Sequence, residues 1–477
     1  MLAASRKAII STASKATYAT AATANQISTA ANGIKVVSSQ EPGQTASLAV
    51  VVNGGARAES ANNAGAAHFL KNYGFKNNAN RTAFRIAREA ELAGGVLSSN
   101  VSHEALVYSA ELLKEDVELF AELLGDVVTK QKFQEHEFLD VARQTAAESA
   151  SAFSNSEITA IEAAHQTAFR TGLGNSIFAK PTAHAKNATV KAFAQQLFIQ
   201  GNIALVGTGV EHETLEHLAE TYFNLPAGNL NLASTKYYGG ESRIESVSAN
   251  GQYVLAFEGA AANSAEYAAL QVLRFALGGE AVVKNTAASG ILAQTSAKFS
   301  DASIKAFNLG YSDAGLFGVQ VSASTSEAEA AVAAAAEQLK AAKNLSSEDF
   351  SRAVAQAKFA ATANIQTRLD RAEALGVYAL QNGKYASTSE AIAAIEKVSA
   401  SDVAQAAEKL FKSKLTTIAL GDLSLVVIGA HVDDNRIVII DVVDVFGVTL
   451  CGYTIALTVG TGTSIGFGTK IEIEVTT

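Results

Sequence analysis

Residues 65–82 read Gly65-Ala-Ala-His68-Phe-Leu-Lys71-Asn72-Tyr-Gly-Phe75-Lys76-Asn-Asn-Ala-Asn-Arg-Thr82. A helix reading His-x-x-Glu-His holds Zn²⁺ between two imidazoles four residues apart, and its Glu activates the metal-bound water. Here His68 stands at the first position, Lys71 where the base belongs and Asn72 where the second imidazole belongs. A catalytic zinc centre needs three protein ligands and an open place for water. An ammonium about one helical turn from the metal repels the cation and offers no base. The stretch therefore predicts a zinc-site scaffold from which the chemistry has been removed.

The surrounding residues extend the pattern. Gly65, Ala67, His68, Phe69, Leu70, Phe75 and Lys76 match the segment Gly-x-Ala-His-Phe-Leu-Glu-His-Met-x-Phe-Lys-Gly-Thr. Glu89-Ala-Glu91-Leu-Ala-Gly94-Gly95 and Ser102-His-Glu104-Ala-Leu-Val-Tyr108 follow in order. In these features the chain resembles the pitrilysin-type (M16) metallopeptidase family. The resemblance implies a third zinc ligand, a Glu about 76 residues beyond the second His position. Counting from Asn72 lands on Glu148, in Thr145-Ala-Ala-Glu148-Ser. The vestigial positions of the inferred site are thus His68, Lys71, Asn72 and Glu148, and Glu148 is a candidate partner for the Lys71 ammonium. No metal, catalytic residue or cofactor is expected.

Two other segments imitate functional motifs. His212-Glu-Thr-Leu-Glu216-His217 places its imidazoles at i and i+5, about 500° of helix rotation apart, so they face different ways. A solvated helix start is expected there. Gly278-Gly279-Glu280 lacks the Gly-Lys-Ser/Thr of a phosphate loop and reads as an ordinary loop.

An internal repeat sets the architecture. Ala194-Gln-Gln-Leu-Phe198 followed by Asn202-Ile-Ala-Leu-Val-Gly207 parallels Ala407-Glu-Lys-Leu-Phe411 followed by Thr417-Ile-Ala-Leu-Gly421. His136-Glu-Phe138 parallels Glu348-Asp-Phe350. The three offsets are 213, 214 and 212 residues, so each half reads as one copy of the same unit. Apolar alternation predicts strands at 35–38, 46–53, 95–99, 104–111 and 202–208 in the first half. In the second, strands are expected at 252–257, 291–297, 303–311, 315–323 and 416–420, with helices between and after them in both halves. Such an order gives an α+β fold of two homologous α/β sandwich domains rather than a doubly wound sheet. The expected layout is a leader at 1–25, a first domain at 26–225, a linker at 226–243, a second domain at 244–423 and an atypical tail at 424–477.

Composition narrows the class. A net charge of −9 argues against nucleic-acid binding, and one cysteine, Cys451, excludes a disulfide framework. The chain offers no Cys/His cluster for an iron–sulfur centre and no Cys-x-x-Cys-His for haem. Residues 1–40 carry Arg6, Lys7, Lys15 and Lys35, no Asp or Glu, and many Ser, Thr and Ala. That is the composition of a mitochondrial transit peptide, with cleavage expected between residues 15 and 30. The tail is rich in Val, Ile, Thr and Gly, and residues 445–469 have no formal charge. A membrane helix, an appended β segment and a sequence foreign to the fold all remain open readings of it.

Within the family, the departures imply a non-catalytic structural subunit of the mitochondrial ubiquinol–cytochrome c reductase (complex III). The resemblance places it peripherally on the matrix side of the inner membrane. It implies pairing with core protein 1 and other complex III subunits in a dimeric complex. The alternative is the presequence-binding α subunit of the mitochondrial processing peptidase. That subunit carries a long glycine-rich loop, whereas the stretch 277–290 is short and not glycine-rich. Active relatives also place a substrate-binding Arg ahead of the Tyr-x-Asp-x-Gly-Leu-Phe strand. Here residues 290–300 lack it, and the stretch from Tyr311 to Phe317 reads as a hairpin turn with packed aromatics.

Overall fold

The computed structural model describes residues 25–181, 185–246, 248, 250–281, 286–343, 345–363, 365–382, 388–422, 428–433 and 436–441. The expected leader, apart from Asn25, and the uncharged part of the tail lie outside these residues.

The first half runs β1 (Asn25–Thr29), β2 (Lys35–Ser39), β3 (Thr45–Asn53), α1 (Ala66–Tyr73), α2 (Ala83–Leu92), β4 (Val96–Val101), β5 (Ala105–Leu113), α3 (Val117–Thr129), α4 (Glu135–Ser154), α5 (Ser156–Phe169), α6 (Asn187–Leu197), β6 (Ile203–Thr208) and α7 (His212–Tyr222). The second runs β7 (Gly240–Glu245), β8 (Asn250–Gly259), α8 (Ala265–Leu277), α9 (Ile291–Ser296), β9 (Ala302–Gly310), β10 (Gly315–Ser324), α10 (Ala328–Ala341), α11 (Ser347–Ala363), α12 (Arg368–Asn382), α13 (Thr388–Glu396), α14 (Ala400–Leu410) and β11 (Thr416–Gly421). A separate antiparallel hairpin of β12 (Ile428–Asp433) and β13 (Arg436–Asp441) follows.

The sheets show the duplication directly. The first has the order β1-β2-β6-β3-β5-β4 and the second β7-β11-β8-β10-β9. Removing β1 makes them the same sheet, and the parallel pair β2–β6 recurs as β7–β11. Gly207 and Gly421, paired by the repeat, lie in β6 and β11.

Each sheet has two covered faces, and each half supplies one cover to the other. Helix α12 lays Ala372, Leu375 and Ala379 on Val51, Val107 and Val206 of the first sheet. Helix α5 lays Ala160, Ala164 and Phe169 on Val254, Leu316 and Ile418 of the second. This explains why β3 is buried at every position from Ala46 to Val52 rather than at alternate ones. Gly376 lets α12 approach closely: a Cβ there would collide with Val51 and stand 3.0 Å from Val206 Cγ2. Ion pairs fix both crossings, with Glu41 held by Arg368 and Arg371, and Glu157 by Lys305 at 2.7 Å.

Three expectations from the sequence are corrected. Residues 291–297, expected as a strand, instead contain the helix Ile291–Ser296. It buries Leu292 and Thr295, three apart, and the Thr295 hydroxyl donates to the Ile291 carbonyl at 2.9 Å. The stretch assigned to the linker contains the start of β7, whose pairing with β11 begins at Gly240. The start of α7 is not solvated at His212, whose ring bonds Ser38 and Ser28 at 2.9 and 2.8 Å. His217, on another face, is exposed as its spacing requires. Gly278 and Gly279 form a tight backbone crossing: side chains there would collide with the Ser289 and Ile304 carbonyls.

Candidate functional site

Helix α1 delivers His68, Lys71 and Asn72 to one point, and α4 delivers Glu148 to meet them. The N-terminus of α1 is fixed by Glu59, whose carboxylate accepts from the Gly65 and Ala67 amides, each at 2.7 Å. That is the placement a helix dipole favours for an anion, although burial pushes the Glu59 carboxyl up to about 7. One Glu148 oxygen, Oε2, then gathers three donors. The Lys71 ammonium lies at 2.7 Å, His68 Nε2 at 2.7 Å and Asn72 Nδ2 at 3.0 Å. Gln144 donates to the other oxygen at 3.2 Å and also to the Asn72 side-chain oxygen, Oδ1, at 3.1 Å.

The bonds fix the state of each group. His68 Nδ1 accepts from the Ala179 amide at 3.2 Å, so Nε2 carries the proton and donates to Glu148. Neither ring nitrogen presents a free lone pair. Burial lowers the His68 pKa, and the Lys71 charge lowers it further against the pull of Glu148. Burial works to raise the Glu148 carboxyl, but donation from Lys71, Asn72, His68 and Gln144 outweighs it and holds the pKa at about 2. The cluster is therefore a neutral imidazole, an ammonium, an amide and a committed carboxylate. Among the described residues, no group of three or more His, Cys, Asp or Glu is placed to hold a metal ion. A cavity of about 1470 Å³ lies elsewhere, between α8, α11, α12, α13 and α14.

A second polar cluster, which no local sequence pattern announced, joins the halves. Arg57, from a single helical turn after β3, pairs with Glu104 and reaches Asp313 at 2.6 Å and the Ala233 carbonyl of the linker at 3.1 Å. Ser312 donates its amide and hydroxyl to Glu104 at 3.0 and 2.6 Å. His165 Nδ1 donates to the Ile161 carbonyl at 2.8 Å, so its Nε2 accepts from the Tyr311 hydroxyl at 2.7 Å. His103 stacks on His165 with ring centroids 4.5 Å apart. Packed aromatics describe Phe317, which is fully buried. Tyr311 also packs edge-on against His103 and His165, while its hydroxyl, Ser312 and Asp313 form the second half's polar contact with the first.

With this geometry in place, comparison with known proteins fixes the class. Residues 35–181 match the family described as Insulinase (Peptidase family M16), and residues 185–357 match Peptidase M16 inactive domain. The chain belongs to the M16 family, and it is a non-catalytic member of it. It is 38% identical to cytochrome b-c1 complex subunit 2, mitochondrial, of Cryptococcus neoformans, over 84% of this chain and 93% of that protein. The protein of the same name from Neurospora crassa is 35% identical over 82% of this chain and 87% of its own length. Mitochondrial-processing peptidase subunit alpha of Solanum tuberosum is 30% identical, covering 83% of this chain and 82% of that protein. Among the described residues, no helix is long and apolar enough to cross a membrane.

Proposed function

We propose that this chain is the structural core subunit of the mitochondrial cytochrome b-c1 complex, the complex that the names of the Cryptococcus and Neurospora relatives give. It supports assembly and stability of the electron-transfer complex and has no active site of its own. The observation that carries this reading is the 38% identity over 93% of such a subunit. The site geometry agrees, because the Lys71 ammonium sits 2.7 Å from the carboxylate that would ligate a metal. His68, Lys71, Asn72 and Glu148 are on this reading the remains of an ancestral zinc site, kept for packing. Other complex III subunits are its partners. Core protein 1 is the immediate one, in a dimeric complex, with the chain on the matrix side and attached to the membrane through protein neighbours. Cleavage of the leader ahead of Asn25 would leave β1 paired with β2.

The likeness to the processing-peptidase α subunit supports a second reading. It is disfavoured by the short connection from α8 to α9, where Gly278 and Gly279 are committed to close backbone packing. The test is to tag the chain, extract mitochondria in mild detergent and record a reduced-minus-oxidised spectrum of the purified material. Co-purifying cytochrome b and c1 absorbance is expected. A haem-free complex that cleaves presequences would transfer the chain to the processing peptidase.

A further inference from the structure

The junction between the halves contains two buried imidazoles that the structural role does not call for. His103 is 5% exposed and His165 is 1% exposed, and they stack on each other on the first-half side of the seam. We propose that this junction is an acid-released clasp: in mild acid the turn from Tyr311 to Asp313 of the second half withdraws from the first-half recess that His103, His165 and Arg57 line.

The geometry requires the His165 ring to be neutral, and burial disfavours a charge on His103. The hydrogen bonds of His165 define the tautomer with hydrogen on Nδ1, leaving Nε2 to accept from Tyr311. A proton arriving on Nε2 would remove that acceptor and place a cation in a site shut off from water. A charge on either ring would also face the other, 4.5 Å away. All the charged and titratable groups around the pair come from a few elements. Helix α5 contributes Glu162, 3.7 Å from His103 Nε2. The turn between β4 and β5 contributes Glu104, the turn after β3 Arg57, and the turn between β9 and β10 Tyr311 and Asp313. Lys180 acts on Glu162 from the segment after α5. Glu104, Arg57 and Asp313 already satisfy one another, and Glu162 accepts from the Ile177 amide at 3.0 Å.

The direction follows from proton linkage. Burial lowers the pKa of both rings, His165 to about 4, from an ordinary value of 6.5. The closed junction therefore refuses protons that an open one takes up below pH 6.5. Each imidazole shifts the balance toward opening by up to about tenfold per pH unit. Burial raises the Glu162 carboxyl, so the closed form there takes a proton first and opposes opening by up to about tenfold per unit. Two imidazoles against at most one opposing carboxyl leave a net increase of at least about tenfold per pH unit in the opening constant. The Asp313 carboxyl is raised by burial but lowered more by Arg57 and Thr235, so it changes charge below this window.

The experiment is hydrogen exchange with mass spectrometry on the full chain from pH 7.5 to pH 5, corrected for the intrinsic pH dependence of exchange. Peptides covering 100–106 and 308–316 should open at least about 10-fold more readily at pH 5 than at pH 6.5, while α1 peptides do not. His103→Gln with His165→Gln should flatten that rise to less than about threefold. Tyr311→Phe should loosen the junction equally at every pH and leave the slope unchanged, which keeps the test usable if the double variant does not fold. No pH-dependent opening in the wild type, a slope that persists without the two histidines, or a slope abolished by Tyr311→Phe overturns the proposal.

Discussion

Replacing Glu148 by Gln tests the core of the site, because the side chain keeps its shape, loses its charge and exchanges one acceptor oxygen for an NH2 donor. In the folded chain the carboxyl pKa is about 2 against an ordinary 4.5. At about 1.4 kcal/mol per unit, that difference is a ceiling of about 3 kcal/mol of stabilisation. The Glu148 side chain is 32% exposed, so water screens the pairs and a contribution of about 1–2 kcal/mol is expected. The sign is set by the depressed pKa: the contribution is complete above pH 4.5 and is lost as pH falls toward 2. Amides of α1 and α4 in Glu148→Gln should exchange about 5–30-fold faster than wild type at pH 7. The gap should narrow at pH 3.5. In a Lys71→Met background it should already be smaller at pH 7, since Lys71 is the leading donor to the carboxylate. Equal exchange at pH 7, or a gap independent of pH, would refute the idea that a charged Glu148 ties α1 to α4.

Making both Lys71→Glu and Asn72→His should yield a protein that binds one zinc per chain through His68, the imidazole introduced at position 72 and Glu148. Metal analysis after gel filtration measures this, and no binding would put the assignment of Glu148 in doubt. Gly376→Ala should detach α12 from the first sheet, because the new methyl collides with Val51. The overpacking cost is about 1–3 kcal/mol, partly offset by about 1 kcal/mol of helix propensity, and faster exchange across 368–382 and 45–53 would reveal it. Arg57→Met should lower stability by about 3–5 kcal/mol by leaving buried Glu104 without its cation, read as an earlier urea transition of the junction peptides. An unchanged transition would mean that Ser312 alone satisfies the carboxylate.

The parts of this fold legible in the sequence are those with local periodicity or an internal copy. Strands such as β3 and β6 carry unbroken apolar runs, and the 213-residue repeat between Phe198 and Phe411 brackets both closing strands. The family resemblance, carried 76 residues on from Asn72, pointed to Glu148, which lies 3.0 Å from the Asn72 amide. What stayed hidden depends on partners remote in the chain. Strands β1 and β7 are polar edges, Asn-Gln-Ile-Ser-Thr and Gly-Glu-Ser-Arg-Ile-Glu, each stabilised by a single neighbour rather than by its own pattern. Helix α9 is too short for a helical period to stand out from an apolar run, which is why Ile291–Ser296 reads as a strand in the sequence. The junction cluster draws on residues near 57, 103, 165 and 311, and nothing in any one of those segments specifies the other three.

The residues at positions 71 and 72 are physically coupled, which on the proposed reading bears on how such a site would lose its metal without losing the fold. A carboxylate and an imidazole aimed at one point from two helices leave an anion whose neutralising cation has gone. Such a half-satisfied charge is costly wherever water is scarce. Lysine at 71 supplies the missing positive charge from within the same helix, 2.7 Å from Glu148. Asparagine at 72 replaces an imidazole by a shorter group that both donates to Glu148 and Thr145 and accepts from Gln144. Lys71→Glu alone would set two carboxylates against each other with no cation between them. Asn72→His alone would bring a second imidazole up to an ammonium that bars the metal. Each single reversal is therefore worse than either the present cluster or the complete zinc triad. In the ammonium-filled arrangement the α1–α4 contact is carried by an internal salt bridge, which needs no metal.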